Sequence, residues 1–339
     1  GSNILLKNPR ASYSSINNIH FLGSNINYET TVASYVTAIG SDFTFEGSLS
    51  HVNFIGSDIS HLATNNGRLY NVSSIGFGNT FSSKTLENSS GDIVDTVVIG
   101  NNNTLTQSKL STISDTIVLG SGSSISVESI TRNRTNYSGY VSRSIVIGKD
   151  AEITTRGAGI TGSIVIGSGA NINALFASGG AGNIDGSIAI GNDSTISASN
   201  SISLGASANA TSANSIALGL NSKADASSAI AIGPRASSNA LQSVAIGGNS
   251  IANDTYTISI GRAAYTDDVS GISYDQITRR LVNLAAGIDD TDGVNVSQLK
   301  KHGTDVASAL GGTSSYSFNS SDGTGTLATG LEVGGTTYT

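Results

Sequence analysis

The chain contains no cysteine, methionine or tryptophan and only 2 prolines, and charged residues fill just 12% of its 339 positions. Without cysteine there is no disulfide framework, no thiolate metal site and no cysteine nucleophile. Charge at this level is about half that of an ordinary soluble domain, so the surface is bland. Disorder is a poor reading, because it pairs low hydrophobicity with high net charge. Here 37% of residues are hydrophobic, led by Ile, Val, Leu and Ala. A net charge of -7 leaves no basic face for a phosphate backbone, which excludes nucleic acid as a partner. No apolar run approaches the ~20 residues that cross a bilayer, and no signal peptide is present. Gly1-Ser2 without an initiator methionine reads as a tag remnant, so the chain is expected to be a piece of a longer protein.

Catalytic signatures are missing as well. The histidines are His20, His51, His61 and His302, with no Ser-His-Asp or HExxH pattern around them. Asp289, Asp290 and Asp292 lack EF-hand spacing, and no glycine loop cradles a phosphate. We expect no enzyme, no metal and no cofactor. The nearest catalytic analogy is a β-solenoid acyltransferase, whose hexapeptide period builds coils of roughly eighteen residues; a shared fold would not confer that activity.

What the chain has is glycine at a fixed period. Short β-branched runs end at Gly191, Gly205, Gly219, Gly233, Gly247 and Gly261, five intervals of 14 residues in succession. Earlier glycines, from Gly23 through Gly40, Gly56, Gly78, Gly100, Gly120, Gly148 and Gly167, carry the same unit with insertions. Before each regular glycine stand two aliphatic residues around a small one, as in Ile188-Ala189-Ile190 and Ile216-Ala217-Leu218. Strand side chains alternate faces, so the aliphatic pairs are expected to face inward and the small residues outward. A second small ladder, Ala208/Ala210 and Ser222/Ala224, implies a thin interior. Fourteen residues fit two strands and two bends, and coils stacked at the parallel-strand spacing make a rod roughly 65 Å tall. An uncharged outer ladder on a thin roll favours packing against identical chains over a monomer. In the first coils His20, Thr37 and Asn53 take the first aliphatic position and Phe21 and Phe54 the small one, which marks either a cap or a shifted register.

After Gly261 the period changes. Ile277, Leu281, Leu284 and Ile288 follow helical spacing, and Val296, Leu299, Val306 and Leu310 continue as a heptad pattern with Gly303 at one seam position. The intervening acids Asp289, Asp290 and Asp292 are placed to cap the following helix. The stretch RRLVNLAAGIDDTDGVNVSQLK, Arg279 to Lys300, resembles the neck motif of trimeric autotransporter adhesins, and the coils SIAIGNDSTISA and SIALGLNSKADA resemble their YadA-like head repeats. Arg279, Asn283, Ala285, Gly287, Thr291, Asp292, Val294, Asn295, Gln298 and Leu299 match the neck pattern, with Leu284 and Gly293 as mild departures. The tail from Gly311 resembles the β-rich segments that interrupt stalks in these proteins.

The resemblance implies an all-β fold: a homotrimer of left-handed parallel β-rolls, a neck and the start of a coiled-coil stalk, on the surface of a Gram-negative bacterium. Its outer-membrane anchor is expected outside these residues. Residues 1–2 are assigned to a tag remnant, 3–186 to irregular head coils, 187–272 to regular head repeats, 273–300 to the neck and 301–339 to the stalk start. Trimer and neck roles fall to Arg279, Asn283, Gly287, Asp292, Asn295, Gln298 and Leu299.

Binding is expected in inserted loops, since a regular solenoid is a scaffold. The longest interval, Gly120 to Gly148, concentrates Arg132, Arg134, Tyr137, Tyr140 and Arg143 in a chain poor in charge and aromatics. Arg and Tyr are enriched among interface hot spots, whereas a merely solvated loop would carry no such role. A second insertion surrounds Phe176, which is expected to tuck against the roll, and the front coils add Phe43, Phe45, Tyr70 and Phe81. The partner would be a host-cell receptor, an extracellular-matrix protein or a neighbouring bacterium, bound multivalently. The alternative is a structural spacer whose binding domain lies elsewhere.

Overall fold

A computed structural model describes residues 5–7, 20–23, 27–29, 36–40, 44–46, 49–50, 52–54, 60–63, 68–84, 91–108, 110–132, 134–175, 182–266, 271–333 and 336–338. The chain forms two compact units, Gly1–Thr278 and Arg279–Thr339. In the first, the described strands stack coil upon coil into two parallel sheets of 14 strands each and a third of seven. One long sheet carries the aliphatic ladders and runs from His20–Phe21 to Ile258–Ser259. Facing it, a mostly polar sheet runs from Leu5–Lys7 to Ile251–Ala252. The chain is thus an all-β parallel β-roll, as expected.

Its inside and outside are the reverse of the sequence expectation. Val146, Val165, Ala189, Ser203, Ala217, Ala231 and Ala245, expected outside, are completely buried. Their aliphatic neighbours point outward, and Leu204, Leu218, Ile232 and Ile246 are 37–40% exposed. Alternation defines two faces without saying which is the core. The thin interior decides the matter: the opposite sheet supplies Ala208, Ala210, Ser222, Ala224, Ser250 and Ala252, all buried, and leaves room only for side chains equally small.

The corners explain the period. In the regular coils the left-handed backbone region recurs every seven residues, at Asp193, Asn200, Ser207, Asn214, Asn221, Ser228, Arg235, Gln242, Asn249 and Tyr256. Asn and Asp tolerate this region best among non-glycine residues. Each of these corners except Tyr256 is followed by a small residue turned into the roll, such as Ser201, Ala208, Ser215 and Ser222. Glycine at the strand end answers a different need. A Cβ on Gly219 would stand 2.6 Å from the carbonyl carbon of Gly233 in the next coil, so the backbones stack too closely for any side chain. Interior serines bond from rung to rung: the Ser201 amide donates to Ser187 Oγ (3.2 Å), and Ser201 Oγ donates to the Ser212 carbonyl (2.9 Å).

Earlier coils are not two-sided units with loose insertions. Their extra residues build the third sheet, from Leu49–Ser50 through Asp92–Val94, Thr112–Ser114 and Tyr140–Ser142 to Ile184–Asp185. This widens the interior, which holds Phe81, Leu69, Ile93, Leu105, Ile113 and Ile125 fully buried. Register in the first coils is unbroken: His20 pairs with Thr37, Thr37 with Asn53 and Asn53 with Ser73. Phe21 and Phe54 stand beside Ala38 and Ser74, which are buried.

The helix expected over Ile277 to Ile288 does not form. That segment is irregular, Asn283 sits in the left-handed region, and Ile288 is 91% exposed. The helical spacing of its apolar residues therefore does not report a helix buried within a single chain. Helix α1 spans Val296–Leu310, and two antiparallel pairs follow, Ser315–Phe318 with Gly325–Ala328 and Leu331–Val333 with Thr336–Tyr338.

Candidate functional site

The arginine- and tyrosine-rich insertion departs from the roll as an antiparallel hairpin of Ile130–Arg132 and Thr135–Tyr137. Thr131 Oγ1 donates to Asn136 Oδ1 across it (2.7 Å), and Arg134 turns its tip in the left-handed region. Ile130 anchors the root over Gly157, where a Cβ would strike its side chain. Beside the root, Arg156 Nε lies 3.6 Å from Glu128 Oε2, an exposed pair worth little on its own. Arg132, Arg134 and Asn136 are exposed and Tyr137 is half-buried.

The other two candidates lie elsewhere. Tyr140 belongs to the third sheet, in register with Thr112 and Gly159, and its ring lies across Gly159 with its hydroxyl 3.4 Å from Asn183 Nδ2. Arg143 occupies a corner of the roll in the left-handed region, exposed, with its amide bonded to the Ser114 carbonyl (3.1 Å). Three candidates thus share a projecting hairpin, and two belong to the body of the coil. Phe81 is completely buried and leaves the list of front-coil contact residues, whereas Tyr70 is 40% exposed. Phe43 and Phe176 lie outside the described residues, as does the Phe45 side chain.

Two surfaces were not recognised from sequence. One is the pair of aliphatic columns on the long sheet, from Ile75 and Val97 down to Ile246 and Ile258, half-buried or exposed at every rung. Reading the small ladder as the outer one hid them. The other follows the last coil, where Tyr265 and Tyr274 stack at 4.9 Å and the Arg262 guanidinium lies 5.4 and 5.1 Å from their centroids. The turn signal Ser270-Gly271 between these tyrosines was the available clue.

Among the neck residues, Gly287, Asn295 and Gln298 form one hydrogen-bonded knot. Asn295, not an aspartate, caps helix α1: its Oδ1 accepts from the Gln298 amide (3.1 Å) while Gln298 Oε1 accepts from the Asn295 amide (3.2 Å). The Gln298 side chain also bonds both backbone groups of Gly287, at 2.9 Å to N and 2.8 Å to O, and Asn295 Nδ2 donates to the Leu284 carbonyl (3.1 Å). Asp292 turns away from the helix and accepts the amides of Ile288 (2.9 Å) and Asp289 (3.1 Å). These two bonds hold its carboxyl below the usual range. Leu299 is exposed on the helix.

Two family models match parts of the chain. The family model for the YadA head domain repeat matches residues 197–222, 210–236, 224–250 and 238–264. The model for the coiled stalk of trimeric autotransporter adhesins matches residues 280–322. Among solved structures, the crystal structure of the collagen-binding domain of the Yersinia adhesin YadA is 27% identical, covering 52% of this chain and 96% of that one, with a TM-score of 0.36. No curated protein matches the chain.

Proposed function

We propose that this chain, by its head repeats and stalk a YadA-like trimeric autotransporter adhesin, is a homotrimeric surface head that binds its ligand through three copies of the hairpin bearing Arg132, Arg134 and Tyr137. Adhesins of this kind are not enzymes, and they stand on the outer membrane as trimers. The observation that carries the ligand assignment is the hairpin itself, which leaves the parallel sheets and presents exposed arginines from a chain of net charge -7. Repetition in a trimer turns a weak contact into avidity through effective concentration. The ligand is a host-cell, matrix or bacterial surface group complementary to the arginines.

The aliphatic columns supply the trimer contact. A fully buried Ile or Leu contributes about 1.5–3 kcal/mol, against about 0.8 kcal/mol for a single methylene-sized group. Apart from Ile196, the regular coils enclose almost entirely Ala and Ser and carry Ile, Leu and Val outside, so most of their available apolar stabilisation lies on the outer face. Two further copies of the chain are the occupants that this continuous, uncharged face fits.

Removing Ile130 to Tyr137, which spares Tyr140 in the third sheet, tests the ligand assignment. Adhesion of the intact and trimmed proteins is measured across matrix proteins, host cells and bacteria. Loss of adhesion with an unchanged trimer supports the hairpin. Retained adhesion removes it, and no adhesion by the intact protein favours the spacer.

A further inference from the structure

Helix α1 carries Val296, Leu299, Val306 and Leu310 at the three-four spacing of a coiled-coil seam, and Gly303 falls at the seam position in their midst. Val296, Leu299 and Leu310 are exposed in the single chain. Glycine there is a weak helix former and removes a packing side chain, so taken alone it is a flaw. The hairpin after the helix changes that reading. Strand Ser315–Phe318 returns along α1, paired with Gly325–Ala328, and the Tyr316 ring lies where a side chain on residue 303 would point. A Cβ on Gly303 would stand 2.6 Å from Cγ, Cδ1 and Cε1 of that ring. The far end of the same ring lies against Gly325, where a Cβ would meet its hydroxyl and stand 2.7 Å from Cζ. Two glycines, one on the helix and one on the hairpin, therefore leave the slot that the ring fills. One turn before Gly303, Lys300 Nζ lies 4.5 Å from the Phe318 centroid, and one turn after it Ala307 is the buried residue of the helix.

We propose that Tyr316 is the missing seam residue of the stalk. Its ring supplies the apolar layer at Gly303, and the hairpin and α1 together form the surface that docks against a second copy of this chain. The inference rests on the trimeric assembly proposed above, but the slot itself is tested separately.

The test is Gly303→Ala in the full chain, with the helical circular-dichroism signal followed on heating and the assembly followed by sedimentation. Alanine in place of a mid-helix glycine ordinarily raises Tm, because alanine is the better helix former. Here the added methyl meets the ring, so the Tm of the helical transition falls by several degrees, and Tyr316→Ala lowers it too. In the Tyr316→Ala background the slot is empty, and Gly303→Ala reverses sign and raises Tm. A rise in the parent chain, or the same sign in both backgrounds, overturns the slot. A parent chain that sediments as a single copy overturns the assembly and the docking surface with it; a trimer without the sign reversal removes the slot and leaves the assembly standing.

Discussion

A coil around Ile125 and a coil around Ala217 share one outer face and differ in what they enclose. Both present aliphatic pairs outward, Ile117/Leu119 in the first and Ile216/Leu218 in the second. Inside, the first buries Ile113, Val118, Ile125 and Val127 among three sheets, whereas the second buries Ser215, Ala217, Ser222 and Ala224 between two. The central residue of the aliphatic strand follows the same change, from Val98, Val118, Val146 and Val165 to Ala189, Ser203, Ala217 and Ala231. Cross-section sets the size of the interior side chain, and the third sheet sets the cross-section. Three-sided coils thus enclose large aliphatic side chains, while two-sided coils enclose small ones and carry their large ones outside.

The sharpest way to break this comparison is a cavity in the wide part. Ile125→Ala should cost about 2–5 kcal/mol, read from denaturant unfolding, since three sheets collapse poorly around a hole. The reciprocal change, Ala217→Leu, forces a large side chain into the thin part and should cost about 1–3 kcal/mol by the same measurement. If both changes prove neutral, the assignment of interior faces is wrong.

Two smaller effects concern the junctions. Asp292 has its pKa lowered in the folded state, so its contribution is present above the unfolded value of about 4 and is lost as pH falls below it. The neck should therefore loosen selectively in acid, seen as lower amide protection factors at Ile288 and Asp289, and Asp292→Asn should remove that pH dependence. Gln242 occupies a left-handed corner that asparagine tolerates better. Gln242→Asn should raise stability by a few tenths of a kcal/mol, within about 1 kcal/mol, measured by the unfolding midpoint.

The period of the roll was legible because close backbone stacking admits only glycine at the strand end. Which face lies inside was not, because alternation marks two faces without saying which is enclosed, and here the larger aliphatic side chains stand on the outer one. The third sheet escaped notice because the rungs begun by Val97, Ile117, Ile145, Ile164 and Ile188 have unequal lengths, which hides a common strand. For the same reason as the columns, the apolar residues Leu281, Leu284 and Ile288 mimicked a helix while standing exposed in a single chain. The helix start was readable in Asn295-Val296-Ser297-Gln298, but the nearby aspartates drew the assignment. Residue chemistry located the hairpin; the split between Tyr137 on it and Tyr140 in the roll depends on strand pairing, which composition does not report.

Particle mass in dilute buffer tests the central claim most directly, compared between the parent chain and one carrying Leu218→Asp with Ile232→Asp on the exposed columns. The account predicts three chains per particle for the parent and loss of the trimer in the variant. A parent that remains a well-folded single chain, or a charged variant that still assembles in threes, would contradict it.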